Sequence, residues 1–208
     1  MEYNVNEKKI YSNKILNELD KFVIDFIGII KKYTNYVIVS GYVSILLGRS
    51  RGSEDVDLLI PEMTFFQFKR MFEELTNKGY ECANTYEKKE AYEMLNEHAI
   101  RFFKDTPIPN IEFKKITNSI QEEAYRERLK VIIRKDILFI SPLELQIAYK
   151  LSLVSKGDFS EISSDKDFED AKHLYETFKE KLNKEQLSKY IKLFKIENIW
   201  KILENENY

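Results

Sequence analysis

The sequence predicts an α/β protein that ends in a run of helices. Short β-branched runs alternate with amphipathic helical patterns as far as residue 140. Residues 36–60, YVIVSGYVSILLGRSRGSEDVDLLI, compress a strand, a tight turn, a short helix, a basic loop and a second strand into one stretch. At Ser141 the composition shifts, and helical periodicity dominates from there. The shift divides a core, residues 1–140, from a helical C-terminal subdomain, residues 141–208.

The N-terminal stretch MEYNVNEKKIYSN is polar. Leu16, Leu19, Phe22, Val23, Phe26, Ile27 and Ile30 then recur at three- and four-residue steps, which predicts an amphipathic helix over residues 12–33 that packs on a sheet. Residues 36–39 read as a strand that stops at Ser40-Gly41, and residues 42–47 as a short apolar helix closed by Gly48. Residues 55–60 open with alternating acid and apolar positions, a strand pattern. A second helix spans 64–78, with Phe65, Phe68, Phe72 and Leu75 as its core stripe and Gly79 as its left-handed terminator. A strand at 80–83 and a short polar helix at 87–96 follow. Strands at 98–104 and 110–115 flank a proline-containing turn at 105–109.

Residues 118–130 read as a loop or an exposed helix. Arg126, Arg128 and Lys130 beside Tyr125 are balanced by Glu122, Glu123 and Glu127, which favours a solvated face over an RNA contact. Residues 131–133 and 137–140 pair as a hairpin around Arg134-Lys135-Asp136. Ser141-Pro142-Leu143-Glu144 reads as a capping box opening a helix to residue 154. Residues 155–165 read as a loop. Helices follow over 166–180, capped by Ser164 or Asp165, then from 183, and over 197–204 with Trp200 inside.

A chain of 208 residues fits one domain, or one with a small helical extension, and can bury a core without staples. Its 33% charged and 43% hydrophobic residues fit a globular chain rather than a disordered one. The formal net charge of −2 excludes a chain-wide electrostatic grip on nucleic acid and leaves only local basic patches. The single cysteine, Cys82, allows no internal disulfide, which fits a reducing cytoplasm, and reads as a buried thiol. His98 and His173 have no ligand-spaced partners, so zinc is not indicated. No signal peptide or membrane span is visible, since the apolar run 22–30 is short and carries Asp25.

The chemistry gathers in residues 40–57. Side chains alternate along a strand, so Asp55 and Asp57 point one way while Val56 and Leu58 enter the core. Two carboxylates on Cα atoms ~6–7 Å apart repel each other. A divalent cation removes that penalty, and Mg²⁺ is the hard, oxygen-seeking candidate. Gly41 permits close backbone approach to a phosphate at a helix start. Arg49 and Arg51 either bind phosphate or neutralise the acids.

The order apolar–Ser40–Gly41, thirteen residues, then Asp55-Val56-Asp57-Leu58 resembles the signature of the DNA polymerase β-type nucleotidyltransferase superfamily. The run of Arg51, Ser53 and Asp55 to Leu58 is especially similar to the minimal and abortive-infection toxin-like nucleotidyltransferases. Where most members begin the turn with Gly, this chain has Ser40-Gly41 followed by bulky Tyr42. The resemblance implies an α/β (α+β) fold, a small mixed sheet flanked by helices. It implies a catalytic and metal-binding triad of Asp55, Asp57 and a third carboxylate on an adjacent strand, matched by Glu112 with Asp105 as the alternative. It also implies two Mg²⁺ ions and nucleotide contacts from Ser40, Gly41, Arg49, Arg51 and Ser53.

In the toxin-like relatives a lysine on a C-terminal helix and a following Lys/Arg-Asp-x-x-Asp element contribute to nucleotide binding. The matching residues are Lys150, then Lys166, Asp167 and Asp170. The plainer alternative is an acid pair favoured at a helix start, with Lys150 extending its ammonium out of an apolar stripe. The activity implied is Mg-dependent transfer of a nucleoside monophosphate from an NTP to a hydroxyl of an RNA 3′ end, a protein or a small molecule, with release of pyrophosphate. A cognate antitoxin is the partner implied, and the cytoplasm the location. A second class is a non-catalytic member that binds nucleotide or a partner protein as a regulator.

Overall fold

The computed structural model describes residues 1–155, 157 and 159–205. In chain order the elements are β1 (Glu2–Asn4), β2 (Lys9–Ser12), α1 (Glu18–Ile30), β3 (Val37–Val39), α2 (Gly41–Leu46), β4 (Asp55–Ile60), α3 (Phe65–Asn77), β5 (Tyr80–Cys82), α4 (Lys88–Met94), β6 (Ile100–Lys104), β7 (Thr106–Lys115), α5 (Ser119–Arg126), β8 (Leu129–Ile133), β9 (Asp136–Ile140), α6 (Leu143–Leu153), α7 (Phe159–Ser164), α8 (Lys166–Phe178), α9 (Lys184–Phe194) and α10 (Glu197–Asn205). The strands form one sheet in the order β1-β2-β8-β9-β3-β4-β7-β6-β5. It is mixed, as expected: β2–β8, β3–β9 and β4–β7 pair parallel and the other neighbours antiparallel. No helix among the described residues is long and apolar enough to cross a membrane.

Several boundaries differ from the sequence reading, for physical reasons. The polar N-terminus forms β1 and β2, because Ile10 is buried opposite Val131 of β8, a pairing no local pattern reveals. α1 therefore starts at Glu18, where Asn17 accepts from the Asp20 amide at 2.8 Å and Asp20 from the Asn17 amide at 3.0 Å. The 105–109 turn shrinks to Asp105 at φ 64, and β7 absorbs both prolines at its exposed end. The hairpin at Arg134-Lys135 is present, with Ile133 opposite Asp136. α7 lies within the stretch read as loop and is too short to show periodicity; residues 156 and 158 are outside the described residues.

The 141–144 capping box does not form. The Ser141 hydroxyl donates to Gln146, and the Glu144 carboxylate accepts from the Asn183 amide at 2.7 Å. Asp165 caps α8, accepting from the Asp167 amide at 2.8 Å. Phe68, Phe72 and Leu75 enter the core, whereas Phe65 stays half exposed against Tyr92. Gly79 ends α3 at φ +83, as its position predicts.

Two features fix the segment that carries the site. Asp20 has no exposure; it accepts from the Tyr42 hydroxyl at 2.9 Å and from Lys14 Nζ at 2.7 Å. Lys14 also donates to the Ile45 carbonyl at 2.9 Å, so one buried carboxylate fastens the start of α1 to α2. Tyr42 thus points into the core and leaves the turn before it clear. That turn bends at Ser40, whose φ of 63° and ψ of −141° lie near the region that glycine alone adopts without strain.

Asp20→Ala removes one half of the capping box, strips Lys14 of its counter-charge and leaves the Tyr42 hydroxyl without its acceptor, which lowers stability by about 3–5 kcal/mol. Urea unfolding measures this, and a change below about 1 kcal/mol would show that the network is dispensable. Ser40→Gly relieves the backbone strain and raises stability by about 1–2 kcal/mol in the same assay. A loss of stability would mean that the serine side chain holds the turn.

Candidate active site

The site is a row of side chains on one face of the sheet. β4 pairs with β7 in register, Asp55 opposite Asn110, Asp57 opposite Glu112 and Leu59 opposite Lys114. Val56, Leu58 and Ile60 fill the other face with no exposure. Val39 flanks Asp57 on β3, and Arg101 flanks Glu112 on β6. Ser40 follows Val39 directly, so the turn overhangs the end of this row.

Strands ~4.8 Å apart bring Asp57 and Glu112 close enough to repel by about 3 kcal/mol at an effective dielectric of 20. Lys114 answers this charge. Its Nζ lies 2.7 Å from Asp57 Oδ1 and 2.5 Å from Glu112 Oε2. Arg101 pairs with the other Glu112 oxygen. Burial pushes the Asp57 carboxyl above its ordinary value, and the charges of Glu112 and Asp55 add to this against Lys114. Burial acts the same way on Glu112, but Lys114 and Arg101 outweigh it and hold that carboxyl low. Burial disfavours the charged Lys114, yet its two ion pairs raise its pKa. Asp55 is exposed beside them. As they stand, no three His, Cys, Asp or Glu side chains among the described residues converge to hold an ion. The ammonium of Lys114 fills the space between Asp57 and Glu112.

The remaining sequence candidates gather in a second cluster. Asp170 of α8, fully buried, binds Arg51 Nε at 2.9 Å and Nη2 at 2.7 Å, Lys150 at 2.9 Å, and also Arg49. Lys150 reaches Asp167 at 2.6 Å, and Arg49 reaches Glu169. Burial alone would raise the Asp170 carboxyl, but these cations hold it below the usual carboxylate range. Arg49 and Arg51 therefore pair with α8 rather than with Asp55 and Asp57. Arg51 also lies against the turn, since a Cβ at Gly41 would stand 2.5 Å from its Nη2. The Ser53 hydroxyl donates to the Asp55 carbonyl at 2.8 Å and closes the loop. Ser40 makes no side-chain hydrogen bond among the described residues.

A cleft of about 340 Å³ opens beside Asp57, Lys114 and Ser40. Its far wall is largely apolar, with Leu145, Tyr149, Ile120 and Phe194. Asp105 stands away at the β6–β7 turn and lines a different hollow. Arg128 is stacked between Tyr125 at 4.3 Å and Phe139 at 5.0 Å, a structural use of that basic stretch. His173 shares a hydrogen bond with the Leu47 carbonyl at 3.0 Å. Sequence reasoning missed Lys114, Arg101 and Gln146 as site residues. Residues 112 and 114 share strand parity, which is the signal that places Lys114 on the face of Glu112, and Gln146 lies one helical turn before Lys150 in the same apolar helix.

No protein-family model and no curated protein matches the chain. Among the solved structures that resemble it, two do so along most of their length and its own. An antigenic nucleotidyltransferase-like protein from Paracoccidioides brasiliensis superposes with a TM-score of 0.53 at 13% identity, covering 88% of this chain and 90% of that one. The antibiotic-resistance factor ANT(2'')-Ia, whose solution structure reveals substrate-regulated conformation dynamics, gives 0.51 at 14% identity, covering 90% and 98%. At these identities the likeness is one of fold alone, an α/β nucleotidyltransferase-like architecture.

Proposed function

We propose that the protein transfers a nucleoside monophosphate from an NTP to a hydroxyl acceptor, with Mg²⁺. The observation that carries this is the in-register pair Asp57 and Glu112, with Asp55 on the same face, beside a cleft that Asp57 and Ser40 both line. The donor set is carboxylate oxygen alone, which suits a hard divalent cation. It also holds a positive charge already, in Lys114. Asp55, Asp57 and Glu112 would hold Mg²⁺, whose chemistry when bound is to activate the acceptor hydroxyl and offset charge on the departing pyrophosphate. The Ser40 hydroxyl and the Gly41 backbone, against which the Arg51 guanidinium packs, receive phosphate oxygens. The acceptor oxygen bonds to the α-phosphorus as the α–β bridging bond breaks, so no protein nucleophile is required. The apolar wall of the cleft takes a flat base or acceptor group.

The Lys150–Asp167–Asp170 cluster unites the residues of the toxin-like pattern with Arg49 and Arg51. It favours a toxin-like member that acts in the cytoplasm on RNA or protein and is held in check by a cognate antitoxin. In that role the cluster supports the nucleotide-binding loop.

Calorimetry with each NTP, with and without Mg²⁺, is expected to show metal-dependent binding that Asp55→Ala with Asp57→Ala abolishes. Labelled NTP incubated with total RNA or cell protein then transfers label. Metal-independent binding would overturn the site, and binding without transfer to any acceptor would favour a regulator. Lys114→Met removes the competing ammonium and tightens Mn²⁺ binding by at least about tenfold, ~1.4 kcal/mol. Weaker Mn²⁺ binding would show instead that Lys114 organises the acids.

A further inference from the structure

Gln146 is 1% exposed and stands in the first turns of α6. Its amide grips Ser40 from both ends. Nε2 donates to the Ser40 carbonyl at 2.7 Å, and Oε1 accepts from the Ser40 amide at 3.1 Å. Oε1 also accepts from the buried Ser141 hydroxyl at 2.9 Å, which fixes the orientation of the amide. Both Ser40 bonds form only while the N–H and C=O of that residue face the same side, so together they tie both flanking peptide groups of Ser40 to one buried side chain. The conformation in which they hold it is the strained one, φ 63° and ψ −141°. Left alone, a serine would relax from it. Ser40 and Gln146 border the same cleft as Asp57 and Lys114.

We infer that Gln146 is a positioning residue: it clamps the Ser40–Gly41 turn in the shape that receives phosphate. The inference rests on the nucleotidyl-transfer reading of the site. Gln146 touches no reacting atom and acts through the backbone of Ser40. A glutamine that merely satisfied buried groups would have no reason to lose its importance when residue 40 became glycine. A clamp would, because glycine adopts this conformation without help.

The test is a cycle of wild type, Gln146→Leu, Ser40→Gly and the double variant. Calorimetry reads the binding of inorganic tripolyphosphate with Mg²⁺, a probe of the turn that needs no base. Gln146→Leu is expected to weaken binding about tenfold in the wild-type background and less than about threefold in the Ser40→Gly background. The Ser40→Gly reference cancels the loss of the serine hydroxyl. Amide hydrogen exchange at Ser40 is expected to accelerate at least about tenfold in Gln146→Leu, without any ligand. An unchanged exchange rate, or equal losses in both backgrounds, would overturn the inference. Wild type that fails to bind tripolyphosphate while Ser40 exchange responds as expected would sink the nucleotidyl-transfer reading and leave the clamp. If Gln146→Leu does not fold, Gln146→Glu sets a carboxylate against the Ser40 carbonyl and is expected to give the same ordering.

Discussion

The parallel pairing of β4 with β7 is the constraint on which the site depends. A slip of one residue would turn Glu112 into the core and Phe113 out of it. The core forbids that slip. Ile111 and Phe113 have no exposure, and Phe113 packs against Phe26 at 6.4 Å and Phe102 at 5.9 Å. Each such side chain contributes about 1.5–3 kcal/mol by burial. With Val56, Leu58 and Ile60 on the partner strand, the total far exceeds the ~3 kcal/mol repulsion between Asp57 and Glu112. Apolar burial on one face therefore forces two acids together on the other. Lys114 and Arg101 then reduce the electrostatic strain without abolishing the negative character of the row.

The C-terminal helices complete what the sheet begins. α6 carries Gln146 and Lys150 one turn apart, so one rigid element addresses both the Ser40 turn and the Asp167–Asp170 pair. Asp170 in turn holds Arg51, and Arg51 lies on Gly41. The turn is thus supported twice from α6, directly through Gln146 and indirectly through Lys150, Asp170 and Arg51. A buried carboxylate without partners would cost several kcal/mol. Three cations around Asp170 remove that cost and fix the basic loop in one arrangement.

Much of this was legible in the chain because it follows from local rules. Alternation put Asp55 and Asp57 on one face, and parity in residues 110–115 put Glu112 and Lys114 together. The helix stripes, Gly79 and the Arg134-Lys135 hairpin obey equally local chemistry. What escaped was decided by distant partners. β2 exists because β8 offers Ile10 a buried neighbour. The 141–144 motif carries the residues of a capping box, but Gln146 and the Asn183 amide claim its two side chains. Parity placed Lys114 beside the acids but did not reveal that it bridges them, which depends on the register between two strands far apart in sequence.

The exceptions to local rules are not scattered. A serine holds a conformation suited to glycine, and a glutamine and a lysine occupy an apolar helix. A tyrosine follows the turn where bulk is unwelcome, and a capping motif is diverted to another use. All of them surround one bend of the chain. Each is compensated by a specific bond, three of them long-range, Gln146 to Ser40, Lys150 to Asp170 and Tyr42 to Asp20, and one local, Ser141 to Gln146. A bend that only had to connect β3 to α2 would be served by glycine and an apolar helix at lower cost. Local conflict resolved by several specific buried bonds is expected where the geometry of a turn, rather than its stability, is what function requires. The Ser40–Gly41 turn meets that description, and it overhangs the row of acids where a phosphate would have to be held.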